Sequence, residues 1–187
     1  MIRRASIAAA CACILLLAQN AAAFDVPSHP LANSDLQAAF TPWDDVEALI
    51  VDELAGAQKQ VLVQAYILTS KNIAQALIAA QRRGVDIRVL ADAEQDAKVE
   101  SSMVSMLSAA GIPVWLETKY QNAHNKIIVI DAASGHSAVI TGSFNFTWTA
   151  QHKNAENILI VRRNIPLASQ YALNWERHRQ DATPYTK

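Results

Sequence analysis

Residues 124–131 read His-Asn-Lys-Ile-Ile-Val-Ile-Asp: an imidazole and an ammonium two apart, then an apolar run that closes on a carboxylate. Side chains alternate along a strand, so His124 and Lys126 share one face while Asp131 points to the other. The next apolar run ends in Gly142-Ser143-Phe144-Asn145. A hydroxyl and a carboxamide are again two apart, behind a glycine that lets backbone come close. Glu156 stands at the head of a third apolar run. If these strand ends converge, Lys126, Ser143 and Asn145 suit the non-bridging oxygens of a phosphate, whose charge must be met in a phosphoryl-transfer transition state. His124 can attack phosphorus when its second nitrogen is held, and Glu156 is an acceptor able to hold it. Asp131 is left for pairing or capping. Phosphodiester cleavage is the chemistry these groups predict. No His-x-x-x-His or His-Glu-x-x-His pattern occurs, and lysine two residues from histidine is a poor neighbour for a cation. Neither a metal nor another cofactor is expected.

The elements that must carry these groups alternate. After Thr41-Pro42, Val46, Leu49, Ile50, Leu54 and Ala57 recur at helical spacing. Residues 60–68 read as a strand buried on both faces. Residues 70–84 form a second helix, with Ser70 as its cap and Gly84 just past its end. A strand over 85–92, a third helix over 96–110 and a short strand over 113–117 follow. The second half changes to three closely linked strands, 124–131, 137–143 and 156–162, and a helix over 166–181. The order predicts an α/β/α sandwich with a mixed, largely parallel central sheet.

The chain has 187 residues. Its start, with Arg3-Arg4, an apolar run to Ala18 and then Ala21-Ala22-Ala23, has the form of a secretory signal peptide over 1–23. Export to the periplasm or beyond is expected, with no stable membrane span after cleavage. Cys11 and Cys13 would leave with that signal, which excludes disulfide, thiol and cysteine–metal chemistry from the mature chain. Residues 24–39 are expected to be flexible, and 40–187 to form one catalytic domain. Charge is lopsided: 24–110 hold 6 basic and 12 acidic residues, and 111–187 hold 8 and 5. The carboxyl-terminal half is therefore the half that could face a polyanion.

His124-x-Lys126-x4-Asp131 followed by Gly142-Ser143-x-Asn145 resembles the signature of the phospholipase D superfamily, and above all its small bacterial single-motif endonucleases. The likeness extends over 39–45, 61–92, 110–114 and 124–161. It implies a phospholipase D-like fold and a phosphohistidine intermediate, with a second histidine protonating the leaving oxygen. With one motif and no internal repeat, the resemblance implies a homodimer that shares its site across a two-fold axis. It further implies that Lys126, Ser143, Asn145 and Glu156 complete each half-site. Asp131 and Gly142 are motif residues of structural use. The 132–141 link is longer than is usual in the family and carries His136.

Nucleic acid, DNA and in addition RNA, is the expected substrate class, cut without sequence specificity. His152 and Lys153 are candidate substrate contacts. Phe144, Phe146 and Trp148 are read as core aromatics, with base stacking as their other use. His29 and His178 are read as surface residues. A phosphodiesterase acting on phospholipid head groups is the alternative, and a non-catalytic binding module the third.

Overall fold

The structure, a computed structural model, describes residues 34–186. The expected signal segment and residues 24–33 lie outside the described residues. Strands β1 (Asp35–Phe40), β2 (Gln60–Ala65), β3 (Asp86–Asp92), β4 (Val114–Glu117), β5 (Lys126–Ile130), β6 (Ala138–Gly142), β7 (Asn157–Arg162) and β8 (Thr183–Pro184) form one sheet in the order β1-β7-β6-β5-β2-β3-β4-β8. Helices α1 (Val46–Gly56), α2 (Lys71–Arg82), α3 (Ala93–Lys98), α4 (Val104–Ala109), α5 (Trp148–His152) and α6 (Ile165–Asp181) join them.

The sheet is mixed, as expected, and lies between two helical layers. Its parallel share is smaller than expected. Only β2–β3 and β3–β4 run parallel, each pair joined by a helical crossover through α2 or through α3 and α4. The hairpin-linked β5, β6 and β7 pair antiparallel. Val46, Ile50 and Leu54 of α1, Ile73 and Leu77 of α2 and Leu107 of α4 bury one sheet face against Val61, Val63, Ile87, Val89, Ile128 and Ile140. On the other face, Ala168 and Trp175 of α6 cover Leu62, Leu90, Ile127, Val129 and Val139. Burial of these aliphatic side chains, each contributing about 1.5–3 kcal/mol, is what fixes the sheet between its helices.

Several boundaries differ from the sequence reading: β2 ends at Ala65 and β5 opens only at Lys126, α5 and β8 were not expected, and two further differences bear on the fold. Residues 35–39, expected to be flexible, belong to β1, which pairs antiparallel with β7 from Asp35↔Arg162 to Phe40↔Asn157. The single helix expected over 96–110 is divided into α3 and α4. Ser102 Oγ donates to Asp96 at 2.5 Å, and the Met103 N–H leaves the helical ladder for Leu68 O at 2.9 Å. Elsewhere local signals hold. Ser70 Oγ accepts from the Ile73 N–H, and Gly84 takes φ +94° where α2 stops.

Candidate active site

The sheet's connectivity gathers the motif. β5 runs antiparallel to β2 and β6 runs antiparallel to β5, so the start of β5 and the ends of β2 and β6 lie at one end of the sheet. The start of β7 joins them, because β7 is antiparallel to β6. His124, Lys126, Ser143, Asn145 and Glu156 are thereby collected at that end, as the sequence reading required.

His124 is exposed, two residues before Lys126, which opens β5 and is only 6 % exposed. The Lys126 ammonium donates to His124 O at 2.9 Å and stands 4.8 Å from the centre of the Tyr66 ring. Burial pushes Lys126 below its usual value, against a smaller upward pull from the nearby Glu156 carboxylate. The imidazole of His124 lies 4.3 Å, centre to centre, from the same tyrosine ring.

Gly142 is required by close approach. A Cβ there would stand 2.1 Å from Asn157 O, so any side chain would force β6 off β7. Ser143 Oγ accepts from Asn157 N at 3.1 Å and Asn157 Nδ2 at 3.3 Å. Its own hydroxyl hydrogen stays available for an anionic oxygen. Beyond it the chain crosses to the end of β2, where Phe146 N donates to Ile67 O and Phe146 O accepts from Thr69 N and Ser70 N. That crossing places Asn145, whose Oδ1 is buried without a hydrogen-bond partner among the described residues. A buried amide oxygen left unpaired is costly, and a χ2 rotation would offer Nδ2 from the same position. Either atom could then meet a phosphate oxygen or its bridging water at this position.

Two expectations need correction. The Glu156 carboxylate accepts from Asn154 Nδ2 at 2.9 Å and not from the His124 ring, so it acts on the site here through its charge near Lys126. His178 is not a plain surface residue: Nδ1 lies 2.5 Å from Glu117 Oε1, in a network completed by Gln64 Nε2 donating to the same buried carboxylate. Asp131 stands just past the strand, since β5 ends at Ile130 and Asp131 takes φ +47°, so strand alternation does not set its direction. It sits at the opposite end of β5, about 16 Å from Lys126 at the usual strand rise. Its carboxylate accepts from the backbone N–H groups of Gln58, Lys59 and Gln60 at 2.7–2.9 Å.

Phe144 and Phe146 are core, each 1 % exposed, but Trp148 is 57 % exposed. His152 stacks on Trp148 at 4.5 Å and 14°, and Lys153 Nζ lies 5.8 Å from the indole. His136 is exposed in the turn between β5 and β6. Tyr66, Asp92 and Asn157 were missed by the sequence reading. The signal available was a polar residue at, or just beside, the end of a buried run, the same signal that singled out His124 and Glu156. Among the described residues, no group of three or more His, Cys, Asp or Glu is placed to hold a metal ion.

This fold, with a histidine–lysine pair at its strand ends, defines a class of phosphodiesterase, and the comparisons agree. Residues 50–179 match the family model described as cardiolipin synthase, PLD-like domain. Phospholipase D of Rickettsia prowazekii is 39 % identical over 145 residues, covering 78 % of this chain and 68 % of the relative. Mitochondrial cardiolipin hydrolase of Xenopus laevis is 30 % identical over 143 residues, covering 76 % of this chain and 65 % of the relative. The crystal structure of Nuc from Salmonella typhimurium, a phospholipase D family member, superposes with a TM-score of 0.76 at 28 % identity, over 82 % of this chain and 99 % of Nuc. The chain belongs to the phospholipase D superfamily and is a phosphodiesterase, a hydrolase.

Proposed function

We propose that this phosphodiesterase is a metal-independent, sequence-non-specific endonuclease that works through a phosphohistidine on His124. In that reaction one imidazole attacks phosphorus and the leaving oxygen takes a proton from a second imidazole. Water then breaks the P–N bond. Lys126, the Ser143 hydroxyl and the Asn145 carboxamide meet the developing charge on the non-bridging oxygens. One motif supplies one such histidine per chain, so the second comes from a partner subunit in a symmetric homodimer. Which copy attacks is not fixed by symmetry.

The observation that carries the nucleic-acid reading is the exposed Trp148–His152–Lys153 stack on the helix that follows Asn145. An indole face beside two basic groups suits a base and its neighbouring phosphate, and base–aromatic stacking is indifferent to sequence. A phospholipid head group is the second reading. It is supported by the names of the Rickettsia and Xenopus relatives and by Trp43, 83 % exposed, as an anchor of the kind found at membrane interfaces.

The test incubates wild type and His124→Ala with plasmid DNA, RNA, and phosphatidylglycerol–phosphatidylcholine vesicles, all in excess EDTA. Cleavage of nucleic acid that survives EDTA and is lost with His124 supports the nuclease. Head-group release without nucleic-acid cleavage overturns it in favour of the lipid reading. Sedimentation of wild type checks the dimer: activity confined to a monomer would remove the shared site.

A further inference from the structure

Tyr66 touches both members of the reactive pair. Its ring centre lies 4.3 Å from that of His124, the planes inclined at 58°, and 4.8 Å from Lys126 Nζ. The tyrosine is itself anchored. Its N–H donates to Asn125 O at 2.8 Å and its Oη to Asn122 Oδ1 at 3.1 Å. Behind the same loop the Asp92 carboxylate, 1 % exposed as a residue, accepts from Ala123 N at 2.7 Å and from Gln95 N at 2.8 Å. The backbone around His124 is thus gripped from the ends of β2 and β3. The imidazole is exposed and is not held by Glu156, the one carboxylate the sequence nominated for the task.

We propose that Tyr66 is a positioning residue for the phosphodiesterase reaction, its ring face setting the orientation of the His124 imidazole and the lie of the Lys126 ammonium beside it. An attacking nitrogen must approach phosphorus at roughly 3–3.5 Å along one direction, and a ring free to turn on its side-chain torsions is seldom so aligned. Packing that locks a rotamer supplies the alignment before substrate arrives. The π face also attracts the ammonium, which keeps Lys126 pointed at the same locus. Since Tyr66 acts through its ring, phenylalanine should replace it and leucine should not. The inference rests on the phosphodiesterase assignment and is independent of the substrate class.

The test uses the chromogenic diester bis(4-nitrophenyl) phosphate with wild type, Tyr66→Phe and Tyr66→Leu. The leucine variant should lose at least tenfold in kcat with KM within twofold, and the phenylalanine variant should stay within threefold in both. In parallel, the Hε1 proton resonance of His124, assigned by its loss in His124→Ala, should be ring-current shifted in wild type and Tyr66→Phe, and released in Tyr66→Leu. Wild-type kcat in Tyr66→Leu overturns the proposal, as does equal loss in both variants or a change confined to KM. Should the leucine variant fail to fold, an unshifted Hε1 resonance in wild type overturns it and a shifted one retained in Tyr66→Phe supports it. A wild type inactive on this diester would count against the enzyme assignment, while the resonance would still decide Tyr66.

Discussion

The Lys126 ammonium donates to the carbonyl oxygen of His124 at 2.9 Å, so the cation of the motif ties down the backbone that carries its histidine. One of its three N–H groups is spent on this tether. The others are left for an anion, at a position buried enough for the charge to act at low dielectric.

Lys126 should therefore be a residue that costs stability and supplies activity. Burial lowers its folded-state value below 10.5. Between that lowered value and 10.5 the unfolded chain binds more protons, so stability should rise with pH across the window, and the cost of the charge is fully present below it. Lys126→Met should raise Tm by a few degrees, on the order of 1 kcal/mol, while lowering kcat/KM by roughly a thousandfold. Wild-type activity should fall on an alkaline limb below pH 10.5, where the ammonium is lost. Thermal melts and a kcat/KM–pH profile check both. A less stable methionine variant would contradict the burial argument.

Asp131 should behave in the opposite way. Its carboxylate accepts from three consecutive backbone N–H groups, and its backbone sits at φ +47°, which aspartate and asparagine tolerate. Asp131→Asn keeps the backbone preference and places an amide donor against donors. We expect a loss of about 2 kcal/mol by denaturant titration, with kcat of the folded fraction within twofold of wild type. A large loss of kcat in a stable variant would return Asp131 to the chemistry.

Gly142→Ala should damage both fold and site. The new Cβ would stand 2.1 Å from Asn157 O and 2.9 Å from Ile158 Cα, both backbone atoms that cannot swing aside. Relief requires β6 to part from β7, which moves Ser143 away from Asn157. A destabilisation of about 3 kcal/mol is expected by calorimetry, with activity falling even below Tm.

Trp148 and Lys153 should matter in proportion to the size of the substrate. On nucleic acid, Trp148→Ala should raise KM about tenfold, and Lys153→Ala should lower the dependence of log KM on log salt by about one unit. Neither should alter turnover of a small diester by more than twofold. Equal effects on both substrates would place the pair in the fold and not at the substrate.

How much of this was legible depended on the range of the forces involved. The amphipathic spacing of Val46, Ile50 and Leu54, the Ser70 cap and the Gly84 stop are set by residues within a few positions of one another, and each was readable. The separation of Lys126 from Asp131 at the two ends of β5 was readable as well, since five residues of extended chain set it. β1 was not readable, because Asp35–Phe40 is largely exposed and becomes a strand only by pairing with Asn157–Arg162. The break between α3 and α4 depends on Leu68 O capturing the Met103 N–H, a contact across 35 residues.

The sequence by itself determined the class of bond attacked and named the candidate groups, because each candidate stands within a few residues of the end of an apolar run and such spacing is a local property. Only the tertiary structure decided what holds those groups. Asn154, not His124, occupies Glu156, and a tyrosine from β2's end stands against the histidine from β5's start. Those partners are neighbours through sheet order, which long-range packing selects and no local pattern records.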